Sequence, residues 1–434
     1  MVHQLCLNKN RNVSRLSTAC LAILVLLTTQ TEAQNVTTPV AKSPAAAQQQ
    51  TPKKSTGMLA PLLPIEAEGK SETSNSKPQP KSFDEKATVR AIYELTKTTK
   101  SAKELTTFIE KCDDAMAKGL SQKNSKYITS LTGWALNLRG QKRMELALQL
   151  KSIGNSQHES ATQQAMDDFD RAVVCDSDRY RTWMGRGIAY VSLKEYRKAA
   201  IDFTNVLKLK TDLPAGWFNR AESLYHLGRY EEALDDYNAA LQLNSDDAEA
   251  LTGRGHSQFA LGRINLALAD YQAVAKLLPE NPTALINVGD AHQALGNWKE
   301  ALASYDQSLS KKQTGTGYQR LSWLKATCPE SSFKDSGQAI EFAKRAIKMT
   351  GDSALNLDTL AAAEASAGNF EEAKTTQQKV IGLVTAETEI ESQDDASAKS
   401  ESPYQVRMAL YQKGEPFTQP ESAEPEPESN SNQK

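Results

Sequence analysis

The most constraining feature of this 434-residue chain is a period. Rows of 34 residues starting at Tyr180, Pro214, Ala248 and Pro282 align without a gap. Column four holds Trp183, Trp217, Leu251 and Leu285, column eight Gly187, Ala221, Gly255 and Gly289, and column 14 Leu193, Leu227, Leu261 and Leu295. Column 20 is alanine in every row, at Ala199, Ala233, Ala267 and Ala301. Column 24 is always aromatic, at Phe203, Tyr237, Tyr271 and Tyr305. Self-similarity at this spacing predicts a stack of like units instead of the three or so separate domains that length alone would allow.

Packing chemistry gives each column a job. Small residues at columns eight and 20 let two antiparallel helices approach closely, while large residues at columns four, 17 and 24 fill the space around the crossing. Gly228, Gly262, Gly296 and Gly368 at column 15 supply the backbone freedom that ends a first helix. Pro214 and Pro282 sit where a helix starts and lose no useful hydrogen bond. Each pair leaves an apolar side that only a stacked neighbour covers, so the expected fold is all-α, an α-α solenoid with disordered N- and C-terminal segments.

These columns resemble the tetratricopeptide repeat. A further unit from Ala354 fits the frame through Leu357, Ala361, Gly368, Phe370, Ala373 and Val380. Upstream, Trp134 to Gly140 reads as a first helix and Ala165, Phe169 and Ala172 as a second, with about 13 extra residues including Gly154-Asn155-Ser156 between them. Downstream, Leu321 to Thr327 and Ala339 to Ile347 make a pair with an expanded connection from Cys328 to Ser332. The expected layout is a signal peptide (1–33), a Pro/Ser/Lys/Gln-rich linker (34–82) and a helical cap with a divergent first repeat (83–179). Four regular units come next (180–213, 214–247, 248–281 and 282–315), then a divergent repeat (316–353) and a last repeat (354–387). An acidic Pro/Glu/Ser-rich tail (388–434) carries a short helix at 404–412. Ala91-Ile92-Tyr93, Trp134-Ala135-Leu136-Asn137, Trp323 to Pro329 and Leu357 to Ala361 resemble exported bacterial members of the family, a group that brings no chemistry with it.

The ends differ from the middle. Seven of the 16 prolines fall in 34–82, five in 381–434 and four between. A helix interior excludes proline, so only the middle is free to be helical. Lys plus Arg against Asp plus Glu is 6 to 3 in 34–82, 38 to 38 in 83–380 and 4 to 11 in 381–434. A balanced repeat block has no basic stripe for nucleic acid. Lys9, Arg11 and Arg15, the nine apolar residues Ala19 to Leu27 and Thr31-Glu32-Ala33 read as an export signal cleaved between Ala33 and Gln34. Nine apolar residues fall short of the roughly 20 that span a bilayer, so an uncleaved anchor is the lesser reading and a periplasmic or secreted location the expected one. Export leaves Cys112, Cys175 and Cys328, an odd count that makes no disulfide framework and reads as buried small apolar residues.

Motifs of catalysis are missing: no Walker loop, Gly-x-Ser-x-Gly, His-Glu-x-x-His or Cys-x-x-Cys occurs. Gly185-Arg186-Gly187 and Gly253-Arg254-Gly255 fall inside predicted helices, where small residues serve packing. His226 and His256 lie on the same face of successive first helices without an evident third metal ligand. Glu231-Glu232 and Asp235-Asp236 are expected mostly on the outer side of a second helix, where carboxylates favour the positive end of the helix dipole. No cofactor, metal or catalytic residue is therefore expected.

The resemblance implies that columns two, five, nine, 12 and 13 of the first helices line an inner groove. Candidate partner-binding residues are Arg181, Met184 and Ile188; Phe218, Glu222, Tyr225 and His226; Thr252, His256 and Phe259; and Ile286, Asp290 and Gln293. Asn219 and Asn287 are remnants of a column-six asparagine ladder. The Lys and Asn with which chaperone-binding relatives hold a carboxylate are replaced at columns five and nine by Met184, Phe218, Thr252, Ile286 and by Ile188, Glu222, His256, Asp290. A mixed, partly apolar lining fits a helix or an extended peptide. The expected function is a non-enzymatic interaction scaffold for a protein or peptide outside the cytoplasm. The alternative is an envelope assembly factor acting through its tails.

Overall fold

The computed structural model describes residues 83–391 and 402–420. The export signal, the linker, and residues 392–401 and 421–434 lie outside the described residues. Among the described residues there are seventeen α-helices, one short 3-10 turn and no strand. The chain divides into two compact units between Ser223 and Leu224.

In the first unit, α1 (Glu85–Leu95) and α2 (Ala102–Ala117) precede a long helix, α3 (Gln122–Ser152), and its partner α4 (Gln157–Cys175). Asp84 caps α1 by accepting from the Ala87 amide, and Ser101 with Glu104 forms a reciprocal capping box on α2. Val89, Ile92, Leu105, Phe108, Ile109 and Cys112 are buried with Ile128, Leu131 and Leu136 of α3, and Phe108 meets Trp134 edge-on at 5.6 Å. The extra residues of the first repeat are taken up by lengthening α3, which runs 31 residues, and not by a long loop. α5 (Tyr180–Ser192) and α6 (Tyr196–Leu209) come next, then most of α7 (Pro214–His226).

The second unit continues with α8 (Tyr230–Leu243), α9 (Ala248–Ala260), α10 (Ile264–Leu277), α11 (Pro282–Ala294), α12 (Trp298–Lys311), α13 (Gly315–Thr327), α14 (Ser336–Thr350), α15 (Ala354–Ser366), α16 (Phe370–Glu391) and α17 (Pro403–Gln412). The connection between α13 and α14 holds the 3-10 turn Ser331–Phe333. Asp247 and Asn281 cap α9 and α11 through their side chains, the latter with Pro282 in the first turn.

The 34-residue columns become the crossing points of the pairs. All four column-20 alanines are completely buried, as are Phe203, Tyr237 and Tyr305 of column 24. A Cβ added at Gly187 would lie 2.7 Å from the Phe203 ring, and one at Gly255 2.6 Å from the Tyr271 ring. No side chain fits there, which is why column eight is small. Column 15 takes a left-handed conformation in every row that shows it, with φ of 74°, 79°, 75° and 82° at Gly228, Gly262, Gly296 and Gly368. The first regular row has Lys194 there instead, held at φ 62°.

Candidate functional site

Buried ion pairs, not phosphate loops, explain the Gly-Arg-Gly triplets. Arg186 makes two bonds to Asp202, at 2.8 and 2.9 Å, and reaches back to Asp170 at 2.9 Å. In the second unit Arg254 repeats this geometry, 2.9 and 2.7 Å to Asp270 and 2.8 Å to Asn238. Each arginine thus ties the second helix of its own repeat to that of the preceding one. The flanking glycines admit the column-24 rings: Gly253 faces Tyr237 and Gly255 faces Tyr271. Burial raises the Asp202 carboxyl, opposed by its arginine partner. Asp236 is 3% exposed, so the expectation that this acidic pair sits on the outer surface is corrected for Asp236. Glu231 and Glu232 do lie exposed and pair with Arg263 and Arg229.

In the first unit, Arg181 is exposed and its guanidinium lies 5.7 Å from the Tyr180 ring. Met184 and Ile188 pack on the buried group Ala199, Phe203 and Val206. Phe218, Asn219 and Glu222 are half-buried, and the Asn219 amide donates to the Ala215 carbonyl within its own helix. That bond takes Asn219 out of simple availability as a ladder residue.

The second unit brings more of the candidates together. The Tyr225 ring lies 5.7 Å from His226, 5.4 Å from Tyr230 and 6.4 Å from His256. His256 Nδ1 is 2.7 Å from the Tyr271 hydroxyl. One turn on, Phe259 packs over Ile264, Ala267, Tyr271, Val288 and Ala291. Thr252 donates its hydroxyl to the Ala248 carbonyl in its own helix, and Asn287 is half-buried. Ile286 is corrected: it is 4% exposed and packs with Trp298, Ala301, Tyr305 and Leu321 in the core. Asp290 accepts from the Tyr305 hydroxyl at 2.7 Å and pairs with Arg320 at 2.8 Å, while the same hydroxyl reaches Gln293 at 3.1 Å.

Column nine and column 24 are therefore linked. A polar residue at column nine meets a tyrosine hydroxyl, as at His256 with Tyr271 and Asp290 with Tyr305, whereas Ile188 accompanies Phe203. That covariation is present in the sequence, and the hydroxyl of a buried tyrosine that must find a partner is the signal that reveals it. Burial pushes His256 down to about 4 and holds it neutral, with Asp290 acting weakly the other way. Burial also pushes the Tyr271 and Tyr305 hydroxyls up, so both stay protonated donors.

Beyond α11 the face carries residues that no repeat column announces. Arg407 of α17 makes a two-point pair with Asp358 of α15, and Gln419 bonds to both Gln293 and Thr327. Among the described residues no group of three or more His, Cys, Asp or Glu is placed to hold a metal ion, and no helix is long and apolar enough to cross a membrane. Cys112 and Cys328 are buried and Cys175 half-buried, all three unbridged; burial pushes the Cys112 thiol up to about 12.

Helices paired and repeated in a 34-residue register define a helical-repeat protein. The repeat is the tetratricopeptide repeat: the model described as TPR repeat matches residues 221–262, and that described as Tetratricopeptide repeat matches 252–315. Among solved structures, YrrB, a TPR protein with an unusual peptide-binding site, is 24% identical over 39% of this chain and 84% of its own, with a TM-score of 0.33. PilF of Pseudomonas aeruginosa is 16% identical over 50% of this chain and 94% of its own, with a TM-score of 0.40. The first TPR of Spaghetti (RPAP3), bound to an HSP90 peptide, is 28% identical over 27% of this chain and 94% of its own, with a TM-score of 0.27. Comparison with curated proteins gives no match.

Proposed function

We propose that the chain is a non-catalytic binding module that takes a protein or peptide partner on the first-helix face of its repeats, most directly between Tyr225 and Gln293. The observation that carries this reading is the row of polar anchors held in fixed geometry by their own repeats: His256 by Tyr271, and Asp290 with Gln293 by Tyr305. The rings of Tyr225 and Phe259 lie between and beside these anchors. Preorganised polar groups with adjacent apolar contact are what an extended or helical ligand needs, because little ordering is left to oppose binding. The buried Tyr271 and Tyr305 hydroxyls act from behind, fixing a neutral His256 and the Asp290 and Gln293 side chains that the first helices offer to a ligand.

A library of displayed random peptides selected on the full chain tests the reading. Peptides that bind the native chain are expected to lose tenfold or more in affinity to Tyr225→Ser and Phe259→Ser, a loss of about 1.4 kcal/mol or more. Undiminished binding to both variants overturns it. The basic and apolar residues before Ala33 support a further proposal, that the module works outside the cytoplasm; N-terminal sequencing of the native protein would then begin at Gln34.

A further inference from the structure

Residues 413–420 leave α17 and reach α13 through Phe417 and Gln419, with Gln419 also bonding Gln293 near the end of α11. Gly414, at φ 75°, reverses the chain at the end of α17, where the Glu415 amide donates to the Leu410 carbonyl at 3.0 Å. Beyond this reversal, residues 415–420 are neither helix nor strand. Phe417 and Gln419 are half-buried, while Pro416, Thr418 and Pro420 are exposed, the alternation of an extended peptide lying on a surface.

The two inward residues are held differently. The Phe417 ring sits 5.8 Å from the Trp323 ring and 5.5 Å from the Arg407 guanidinium, over the group Trp323, Ala326, Ala339, Ala362 and Ala363. Gln419 donates its main-chain amide to the Thr327 carbonyl at 2.8 Å and its side-chain amide to the Thr327 hydroxyl at 2.6 Å. Its carbonyl oxygen accepts from Gln293 at 3.0 Å. One aromatic anchor, one main-chain bond and one side-chain amide read in both directions constitute recognition of an extended segment with the pattern aromatic-x-Gln.

α17 also has anchoring contacts of its own beside this segment. Arg407 is locked to Asp358, and Tyr411 is buried among Ala361, Ala365 and Ala373. The Arg407–Asp358 pair does not involve residues 415–420 and remains to hold α17 when they leave the face, although the Phe417 ring also lies against Arg407 and the group around Tyr411.

We propose that residues 415–420 are a tethered, displaceable occupant of the repeat face at α11 and α13, and that the partner segment taken there is an extended peptide carrying an aromatic residue two positions before a glutamine. This deepens the peptide-binding reading and rests on it. The tether gives the chain's own segment an effective concentration on the order of millimolar, so an external peptide binds only in proportion to the fraction of molecules whose strap is open.

The test uses the full chain and a fluorescein-labelled peptide of the sequence Lys-Gly-Glu-Pro-Phe-Thr-Gln-Pro, with binding read by anisotropy. The native chain and a Phe417→Ala, Gln419→Ala double variant are compared, with circular dichroism recording helix content and melting. The expected result is a folded variant that binds the peptide about tenfold or more tighter than the native chain does, with the gain abolished by adding Thr327→Val and Trp323→Ala. Equal binding to both proteins, or binding to neither, overturns the proposal. So does loss of helix in the double variant, since the segment would then be a fixed cap on the end of α13. Peptides selected at Tyr225 and Phe259 report on the other part of the face, so the broader reading can survive this one's failure.

Discussion

Arg407 and Asp358, 49 residues apart in sequence, meet as a buried two-point ion pair, with Nε 2.8 Å from Oδ1 and Nη2 2.7 Å from Oδ2. Their side chains are 5% and 3% exposed. The same guanidinium lies within 5.2 to 5.5 Å of the rings of Tyr404, Trp323 and Phe417. The pair fastens α17 to the last repeat. Asp358→Ala leaves that guanidinium buried without its counter-charge and should cost about 3–5 kcal/mol, with much of the loss recovered when Arg407→Met is added. Hydrogen exchange over residues 403–412 reads it directly: the single variant should exchange much faster, and unchanged protection would mean that α17 is held by apolar contacts alone.

Lys194 stands where other rows have glycine and carries φ 62°. A side chain in that region costs roughly 1–2 kcal/mol, part of which glycine gives back through greater freedom in the unfolded chain. Lys194→Gly should therefore stabilise the protein by about 0.5–1 kcal/mol. The midpoint of urea unfolding measures this, and a lower midpoint would show that the Lys194 side chain makes a compensating contact.

His256 is enclosed by the rings of Tyr225 and Tyr271, which burial makes a place for a neutral imidazole at a pKa of about 4. In the unfolded chain the same group titrates near 6.5. The native state is thus at full strength above about pH 6.5; as pH falls from there towards 4, the unfolded chain takes up a proton that the folded chain refuses. The loss amounts to about 2–3 kcal/mol by pH 4, and acts on the repeats around α9. Melting temperatures of the native chain and of His256→Asn measured from pH 7 to 4.5 should converge as pH falls, whereas a constant gap between them would place the imidazole in water.

The repeat was legible because its columns are crossing points, and crossing points tolerate few residues. Gly255 and Ala267 can be read without coordinates, since a side chain at Gly255 would strike Tyr271 and Ala267 is completely buried. The long α3 was not legible: Gly154-Asn155-Ser156 marks the end of the helix, but nothing in the pattern says that Lys142 to Ser152 extend the first helix instead of forming a loop. Ile286 misled because the residues of its column in the other rows, Met184, Phe218 and Thr252, are only half-buried, while here Trp298 and Leu321 close over it. Asp236 misled because a carboxylate beside another carboxylate reads as surface, although its neighbours in the column, Asp202 and Asp270, are matched by Arg186 and Arg254 one helix away. The strap at Phe417 and Gln419 was illegible in principle. Its partners lie 92 to 126 residues back for Gln419, and three residues between Pro416 and Pro420 carry no period.

The most direct measurement places a photoreactive benzoyl-phenylalanine at Phe259, on the first-helix face, and in a second protein at Leu266, which is 55% exposed on the neighbouring second helix. Each is irradiated with a peptide selected on the native chain. Crosslinking from position 259 and not from 266 is the result expected of a module that binds through its first helices. Crosslinking from 266 alone would contradict it and move the binding surface to the opposite side of the repeats.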